Sequence, residues 1–434
     1  MKVFYMTFGC KVNQYETECI KQLFEAEGYE TVESPLNADI AIINTCTVTS
    51  AADSKCRQFI RKIAKANPGC IICAAGCMTQ ILDNDKLLPE CSVIVGSRNK
   101  TSLPYFVKKY LSDGERYVDI SNSNGKDIEP MCLNGTRTKT RAYIKIQDGC
   151  EMYCTYCAIP HARGKLSSKP IDDIIKEATS LISSGHKELI LTGINLCCYG
   201  RELRGSTRLI DALEAVCSLE GEYRVRLSSI EPEMLTDSDL ERMASLERLC
   251  PHFHLSLQSG CDSVLKRMKR HYDTGMYYEL VTKLKKRFKD CAITTDIMVG
   301  FPGESEEEHK ASISFAKKAA FADAHIFPFS RRKNTPADKM PLQLDNKTKH
   351  RRALEMAAAI KELRADFLKG MVGKTVRVLF EKESSPLFHQ GHSDNYTLVK
   401  IDRISENVTL RRQLLLVRIT SHDESCCYGE LVKK

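Results

Sequence analysis

Apolar and polar positions alternate over the first hundred residues in a way that predicts strands separated by helices. Short apolar runs predict buried strands, and apolar residues recurring every three to four positions predict helices. The strands are expected at KVFYMTFG, DIAIINTC, CIICAAG and SVIVG. Helices are expected at YETECIKQLFEAEGY, whose buried face would carry Ile20, Leu23 and Phe24, and at DSKCRQFIRKIAKANPG. This alternation predicts an α/β fold with an open parallel sheet.

A longer series of the same kind runs from about Arg141 to Phe329, after a polar, turn-rich stretch at 112–130 that predicts a linker. Its six apolar runs predict strands at AYIKIQDG, KELILTG, YRVRLSSI, HFHLSLQSG, AITTDIMVG and AHIFPFS. Helical patterns lie between them, such as DDIIKEATSLISSG. These units predict a (β/α)6 partial barrel. Its functional residues are expected just after the strands, at the face where parallel barrels carry their active sites.

The last part of the chain changes character after a helix expected at 347–371. Short strand patterns without helices between them occur at KTVRVLFE, YTLVKIDR, QLLLVRITS and YGELVKK. They predict a small all-β barrel of OB-like type.

Composition narrows the class of protein. No apolar run approaches the ~20 residues of a membrane span, and MKVFYMTFGC lacks the pattern of a signal peptide. A cytoplasmic location without membrane attachment is therefore expected. Twenty cysteines in such a compartment indicate packing or metal binding rather than disulfides. The net charge of +8 permits a nucleic-acid partner without requiring one.

Three cysteines stand in a C-x3-C-x2-C spacing directly after the first strand of the expected barrel: Cys150, Cys154 and Cys157. A structural zinc site needs four ligands, and no second cysteine pair lies nearby in sequence. A [4Fe–4S] cluster held by three thiolates instead leaves one iron open. With Tyr156 before the last cysteine, the motif resembles that of the radical S-adenosylmethionine enzymes. The resemblance implies that the open iron binds S-adenosylmethionine.

A second set of cysteines follows three strands of the N-terminal sheet: Cys10, Cys46 and Cys77. Ligand sites of parallel sheets lie at these carboxyl ends, so three thiolates there could hold another cluster with an open iron. Cys70 and Cys73 form a competing C-x2-C-x3-C pattern with Cys77. At ~3.3 Å per residue of strand, Cys70 and Cys77 would stand too far apart for one cluster. We therefore assign Cys70 and Cys73 to packing.

Nearly the whole chain resembles the methylthiotransferases. The stretches that carry this resemblance are GCKVNQYETE, NTCTVT, KIQDGCEMYCTYCAIPHARG, LTGINL, SSIEP, LQSGCDSVLKRMKRHY and GFPGESEEE. Within the family they look like the enzymes that methylthiolate threonylcarbamoyladenosine beside the tRNA anticodon, above all at Lys11-Val12-Asn13. Relatives acting on isopentenyladenosine, or on a ribosomal-protein aspartate, are the alternatives.

The resemblance implies an auxiliary-cluster domain at 1–135, a radical S-adenosylmethionine domain at 136–368 and an RNA-binding TRAM domain at 369–434. It assigns an auxiliary [4Fe–4S] cluster to Cys10, Cys46 and Cys77, and the radical [4Fe–4S] cluster to Cys150, Cys154 and Cys157. S-adenosylmethionine contacts are expected from Tyr156, Thr192, Gly193, Gln258, Val299 and Gly300. Glu231 is a further candidate, with a salt bridge as its alternative role.

Basic residues near the barrel mouth predict contacts with a tRNA anticodon loop: Lys266, Arg267, Lys269, Arg270, Arg331 and Arg332. The Arg331–Arg332 pair is also the candidate for binding the threonylcarbamoyl carboxylate. An electron donor such as flavodoxin or ferredoxin and a sulfur donor are the other expected partners. A non-catalytic two-cluster electron-transfer protein is the alternative from another class. Such proteins usually supply four cysteines to each cluster, whereas both sites here have three.

Overall fold

The structure is a computed structural model, and the residues that it describes are 1–47, 49–82, 88–120, 127–135, 140–203, 205–381, 387–403 and 408–432. The expected boundary at 135/136 adjoins residues outside this set, and the boundary at 368/369 falls at the end of a long helix. Within the described residues, none of the helices has the length and apolar character needed to cross a membrane.

The N-terminal region forms the expected open parallel sheet. Its strands are β1 (Lys2–Thr7), β2 (Glu30–Val32), β3 (Ile40–Thr45), β4 (Ile71–Gly76), β5 (Val93–Val95) and β6 (Tyr117–Asp119). They lie in the order β2-β1-β3-β4-β5-β6. The helices are α1 (Lys11–Ala26), α2 (Ser50–Ala66), α3 (Cys77–Gln80) and α4 (Leu103–Asp113). Apolar clusters on both faces of this sheet form its core.

Two expectations for this region need correction. The stretch 112–130 is not wholly a linker, because β6 pairs with β5 and completes the sheet; its residues 121–126 lie outside the described set. Helix α1 begins at Lys11 rather than near Tyr15, with Cys10 in an extended conformation just before it. Ile20 and Phe24 are fully buried as predicted, but Leu23 is 36% exposed.

The central region contains all six predicted barrel strands. The strands are β7 (Arg141–Lys145), β8 (Gln147–Asp148), β9 (Ser167–Ser168), β10 (Glu188–Thr192), β11 (Arg224–Leu227), β12 (Ser229–Ile230), β13 (His252–Gln258), β14 (Ala292–Val299) and β15 (Asp323–Pro328). Parallel pairing gives two sheets, β11-β10-β7 and β12-β13-β14-β15. The predicted strand YRVRLSSI supplies both β11 and β12, so it joins one sheet to the next. The carboxyl ends of these strands form one rim.

Helices connect the barrel strands and cover their outer side. They are α5 (Ile159–Arg163), α6 (Ile171–Ser183), α7 (Leu209–Cys217), α8 (Asp237–Ala244), α9 (Asp262–Arg267), α10 (Thr274–Arg287), α11 (Glu306–Ala319) and α12 (Pro336–Lys339). The predicted apolar face of α6 is buried at Ile174, Ala178 and Leu181. Strands β8 and β9 pair antiparallel at Gln147–Ser168 and Asp148–Ser167, which fixes both ends of the loop that contains the C-x3-C-x2-C motif.

The C-terminal region is a small closed barrel, reached through the expected helix α13 (Asn346–Lys369). Its strands are β16 (Thr375–Phe380), β17 (Phe388–Ser393), β18 (Leu398–Asp402), β19 (Leu414–His422) and β20 (Cys427–Leu431), in the order β16-β17-β18-β20-β19. Four of the five were predicted, and β17 was missed. The barrel is attached to the central region through Asp394, which accepts a hydrogen bond from the buried Arg224 over 2.8 Å.

Candidate functional site

The N-terminal cysteines lie together at one edge of the sheet. Cys10, Cys46 and Cys77 follow β1, β3 and β4, which are adjacent strands. Cys10 precedes α1 and is exposed, whereas Cys46 and Cys77 are each 4% exposed. A Cβ atom added to Gly9, which has φ +106°, would lie only 2.8 Å from the Cys46 sulfur. The chain therefore brings its first cysteine loop directly against the second.

Cys70 and Cys73 lie away from this edge. Cys73 is fully buried inside β4 and packs in the main apolar cluster. Cys70 precedes the strand and packs in the cluster on the other face of the sheet. Both positions agree with the predicted packing role.

The second cysteine set lies in the loop between β8 and α5. Cys154 is 7% exposed, and a tight turn joins it to Cys157 through a 3.0 Å backbone hydrogen bond. Burial, and then the neighbouring Cys154, raise the pKa of the Cys157 thiol to about 12. Burial raises the pKa of Cys150 to about 11. Metal binding must displace these protons, since the thiolate is the ligand.

Among the described residues, no three His, Cys, Asp or Glu side chains lie close enough together to hold a single metal ion. A cubane cluster binds its thiolates through separate irons. Its ligands are therefore spaced more widely than the ligands of one ion. The groups around the cysteine sulfurs are the observation that bears on cluster binding.

A guanidinium group contacts one sulfur in each set. The Arg163 Nε–H donates to the Cys77 sulfur over 3.0 Å. Arg270 Nη1–H donates to the Cys154 sulfur over 3.1 Å. Charge-assisted donors of this kind stabilise a thiolate and are typical partners of metal-bound sulfur. Arg163 was not selected from the sequence, although it lies in the quoted stretch KIQDGCEMYCTYCAIPHARG, six residues after Cys157.

Arg163 belongs to a buried network of charges that joins the N-terminal sheet to the barrel. It is fully buried and donates to both carboxylate oxygens of Glu16, over 2.5 and 3.1 Å. Lys100 and Lys145 also bind Glu16, over 3.0 and 2.9 Å. Burial alone would raise the pKa of Glu16, but these three cations hold it well below its ordinary value. Asp148 balances the network by accepting from Lys145 over 3.1 Å.

Arg270 is a correction to the predicted RNA contacts. Its side chain is only 3% exposed and forms an ion pair with Glu231. It also donates to the Tyr156 hydroxyl over 3.4 Å. Arg270 therefore organises the cysteine loop from inside. The alternative role of Glu231, a salt bridge, is present in the structure, and burial raises the pKa of its carboxyl despite the guanidinium beside it.

The positions expected to contact S-adenosylmethionine lie along the same rim. Thr192, Gln258 and Val299 end β10, β13 and β14. Gln258 and Gly300 have φ of +68° and +72°, so the chain turns sharply at both strand ends. A Cβ at Gly193 would come within 2.9 Å of the Gln147 side chain, which explains the glycine there.

Two further side chains at this rim have buried polar atoms. The Ser228 hydroxyl is buried and no described residue hydrogen-bonds to it. The amide group of Asn195 is also buried, and its one described side-chain partner is the Cys150 thiol, whose pKa is raised by burial and lowered by this contact. The two residues follow the neighbouring strands β10 and β11. Buried polar atoms without a partner are costly, so this part of the rim suits a polar ligand. Both residues fall within quoted motifs, LTGINL and SSIEP, but were not selected from sequence.

The remaining basic candidates fall into two groups. Lys266, Lys269 and Arg331 are exposed, although Arg331 also donates to Asp338 over 2.9 Å. Arg267 is bound by Glu308 over 2.6 Å. Arg332 is the second correction: it is 7% exposed and bound to Asp53 of α2 over 2.9 Å. Its charge is already neutralised at the junction between the N-terminal sheet and the barrel.

Two parts of the chain match known protein families. Residues 144–316 match the Radical SAM superfamily, and residues 2–96 match the Uncharacterized protein family UPF0004. The chain is 35% identical over 405 residues to threonylcarbamoyladenosine tRNA methylthiotransferase MtaB of Bacillus subtilis, covering 92% of this chain and 89% of that protein. It is 36% identical to the MtaB protein of Thermotoga maritima, covering 86% and 85%.

A second type of relative is almost as similar. The tRNA-2-methylthio-N(6)-dimethylallyladenosine synthase of Clostridium perfringens is 34% identical over 385 residues, covering 87% of this chain and 86% of that protein. Among solved structures, the radical S-adenosylmethionine methyltransferase TsrM of Kitasatospora setae matches with a TM-score of 0.56 and 13% identity, covering 78% of this chain and 77% of that one. That likeness shows a shared fold.

Proposed function

Because the chain belongs to the methylthiotransferase family of radical S-adenosylmethionine enzymes, we propose that it converts N6-threonylcarbamoyladenosine beside the tRNA anticodon to its 2-methylthio derivative. Membership makes the protein an enzyme that acts on tRNA and uses [4Fe–4S] clusters and S-adenosylmethionine. The proposal adds which modified adenosine the enzyme accepts and which residues bind the clusters and S-adenosylmethionine.

The proposal assigns one cluster to each cysteine set. Cys150, Cys154 and Cys157 would hold the radical cluster, and Cys10, Cys46 and Cys77 the auxiliary cluster. When bound, these groups and S-adenosylmethionine supply a hydrogen-abstracting radical, sulfur and a methyl group. The protein's own part is to hold and orient them, as Arg163 does at Cys77 and Arg270 at Cys154.

The rim supports a site for S-adenosylmethionine. Thr192, Gln258 and Val299 are the last residues of β10, β13 and β14, and Gly193 and Gly300 directly follow two of these strands. The buried polar atoms of Asn195 and Ser228, the first of which also contacts the Cys150 thiol, offer hydrogen bonds to a polar ligand. The proposal adds these two residues to the candidates from sequence.

The choice of substrate needs an observation beyond sequence similarity. Relatives named for threonylcarbamoyladenosine and relatives named for dimethylallyladenosine, which is the isopentenyl-modified adenosine, are all 34–36% identical to this chain. The observation that favours the threonylcarbamoyl group is Lys11, a partly buried cation next to Cys10 in a cavity of the barrel. The threonylcarbamoyl group has a carboxylate, whereas an isopentenyl group is wholly apolar. Isopentenyladenosine remains the second candidate, and a ribosomal-protein aspartate, which also bears a carboxylate, the third.

The proposed partners are the tRNA anticodon loop, an electron donor such as flavodoxin or ferredoxin, and a sulfur donor. Exposed Lys266, Lys269 and Arg331 support RNA binding near the rim. We assign the closed C-terminal barrel to RNA binding as a TRAM-type domain. Its Lys400, Phe388 and Tyr428 side chains form a mixed basic and aromatic group, which is the combination that binds single-stranded RNA.

The test gives the purified, cluster-reconstituted enzyme two tRNAs, one carrying threonylcarbamoyladenosine and the other isopentenyladenosine. The proposal predicts that 2-methylthio product accumulates on the first. Equal or greater product on the second tRNA would contradict the substrate assignment and leave the reaction type intact.

A further inference from the structure

A cavity of about 350 Å³ lies between the barrel and the C-terminal barrel, and we call it the lumenal cleft. Its lining includes Lys11, His252, His254, Thr294, His325 and Tyr396. The volume falls within the range of about 300–1,000 Å³ that small-ligand sites occupy. The cleft is therefore large enough for the side group of a nucleoside.

Lys11, from the N-terminal region, places a positive charge in the lumenal cleft. It is the first residue of α1 and follows Cys10 directly. Its side chain is partly buried, and within the described part of the chain its ammonium group forms no hydrogen bond or ion pair. A buried cation without a counter-ion is unfavourable, so this position favours binding of an anion.

The nearby charges do not neutralise Lys11. Burial lowers the pKa of Lys11, and Arg226 and Arg141 lower it further, while Glu188 and Asp296 act in the opposite direction. Glu188 is already bound by Arg224 and Arg226, over 2.6 and 3.0 Å. Burial is thus the largest cause of the lowered pKa of Lys11, and the two guanidinium groups add to it.

Asp296 is also engaged by other groups. Its carboxylate lies 3.2 Å from His254 Nε2. The second nitrogen of His254 lies 3.1 Å from the Thr294 hydroxyl, which also lies 3.0 Å from His252 Nε2. This chain of contacts directs the Asp296 carboxylate toward His254. Asp323, which also lines the cleft, is bound by Arg364 over 3.0 Å. An oxyanion entering the cleft would therefore meet Lys11 while these carboxylates are engaged by other groups.

The depth of Lys11 in the barrel fits a substrate that reaches down from the rim. Lys11 and Asp296 shift each other's pKa, and Asp296 lies three residues before Val299 on β14. At ~3.3 Å per residue of strand, that separation is about 10 Å. A purine ring with a short acyl arm has a comparable length, so its ring would lie near the rim when its carboxylate lies beside Lys11.

We propose that Lys11 binds the carboxylate of the threonylcarbamoyl group in the lumenal cleft and so selects this modified adenosine. The inference rests on the substrate proposed above and replaces the Arg331–Arg332 pair in that role, since Arg332 is bound by Asp53. The other source of an oxyanion is an RNA phosphate, and the experiment must separate the two.

The experiment measures binding of the cluster-reconstituted enzyme to two anticodon stem-loops by fluorescence anisotropy. The stem-loops are identical except that one carries threonylcarbamoyladenosine and the other adenosine. The wild type is expected to bind the modified stem-loop more tightly. Lys11→Gln should remove about tenfold or more of the affinity for the modified stem-loop, as for a lost charge-assisted hydrogen bond, and leave the unmodified one unchanged.

Two variants serve as controls. Lys11→Arg keeps the cation and should retain most of the preference. Lys62→Gln removes one exposed charge from α2 and should affect both stem-loops equally and weakly. Equal loss on both stem-loops for Lys11→Gln would assign Lys11 to phosphate and overturn the inference. Unchanged binding, or a wild type without preference, would overturn it as well. Failure of the proposed function would appear separately, as absence of product from the wild type.

Discussion

Arg163 and Cys77 are joined by a 3.0 Å hydrogen bond from guanidinium Nε to sulfur, although Arg163 ends α5, after the loop of Cys150, Cys154 and Cys157, and Cys77 directly follows strand β4 of the N-terminal sheet. The same guanidinium binds Glu16, which also binds Lys145 of the barrel. The two cysteine sites are therefore held relative to one another by buried charges. We infer that the network fixes the distance between the two proposed clusters.

Replacement of Arg163 tests this network. Arg163→Gln leaves the buried Glu16 and Asp148 with less compensation, and loss of one partner of a buried ion pair costs about 3–5 kcal/mol. The free energy of unfolding of the apoprotein, measured by urea denaturation, should fall by about that amount. Arg331→Gln, which removes an exposed guanidinium, should change it by less than about 0.5 kcal/mol. Equal effects of the two substitutions would show that the network does not stabilise the junction.

The radical-site assignment is tested at Cys154. Cys154→Ala should abolish release of 5′-deoxyadenosine from S-adenosylmethionine and leave roughly half of the bound iron, since the other cluster is unaffected. Iron analysis and chromatography of the nucleoside measure both. Release at a rate near that of the wild type would contradict the assignment of Cys150, Cys154 and Cys157.

The auxiliary site is tested by comparing Cys73, which lies inside β4, with Cys77, which directly follows β4. Cys77→Ala should lose bound iron and product while S-adenosylmethionine is still cleaved. Cys73→Ala removes only a buried packing group, at a cost of ~1–2 kcal/mol or less. Loss of iron from Cys73→Ala but not from Cys77→Ala would reverse the choice between them.

The regular elements were predictable because their apolar patterns are strong, as in β3 and β4, whose residues are all buried. Strand β17 was missed because its inward residues are His389, Gly391 and Ser393, which give no apolar alternation. Strand β6 was missed because it is three residues long and lies in a polar stretch.

The cysteine sets were predictable because they are local motifs or follow strands of one sheet. The roles of Arg270 and Arg332 were not, because their partners Glu231 and Asp53 are distant in sequence. A basic residue beside a motif has the same appearance in sequence whether it faces RNA or a buried carboxylate. Only the tertiary contacts decide between them.

Arg270 and its neighbour Lys269 provide a matched test of that distinction. Arg270→Gln should impair S-adenosylmethionine cleavage without RNA, because it removes contacts to Cys154 and Glu231. Lys269→Gln should leave that cleavage unchanged and weaken tRNA binding, because Lys269 is exposed. Cleavage assays and tRNA titrations with both variants measure the difference. The reverse pattern would restore Arg270 to the RNA-binding surface.

The RNA-binding role of the C-terminal barrel is best tested by substitution. Deletion of 370–434 would also uncover Arg224 and Arg226, which bind Asp394. Lys400→Gln should lower tRNA affinity and reduce the log–log slope of affinity against salt by about 0.7–0.9, the value for one lost phosphate contact. Titration across salt concentrations measures this slope. An unaltered affinity at every salt concentration would contradict the role of Lys400.

The central claim is that this enzyme methylthiolates threonylcarbamoyladenosine in tRNA, and nucleoside analysis of cellular tRNA tests it most directly. Cells lacking the protein should lose the 2-methylthio derivative of threonylcarbamoyladenosine and accumulate its precursor, while 2-methylthio-isopentenyladenosine stays unchanged. Wild-type protein should restore the product, and the Cys77→Ala variant should not. Loss of 2-methylthio-isopentenyladenosine with unchanged 2-methylthio-threonylcarbamoyladenosine would contradict the account.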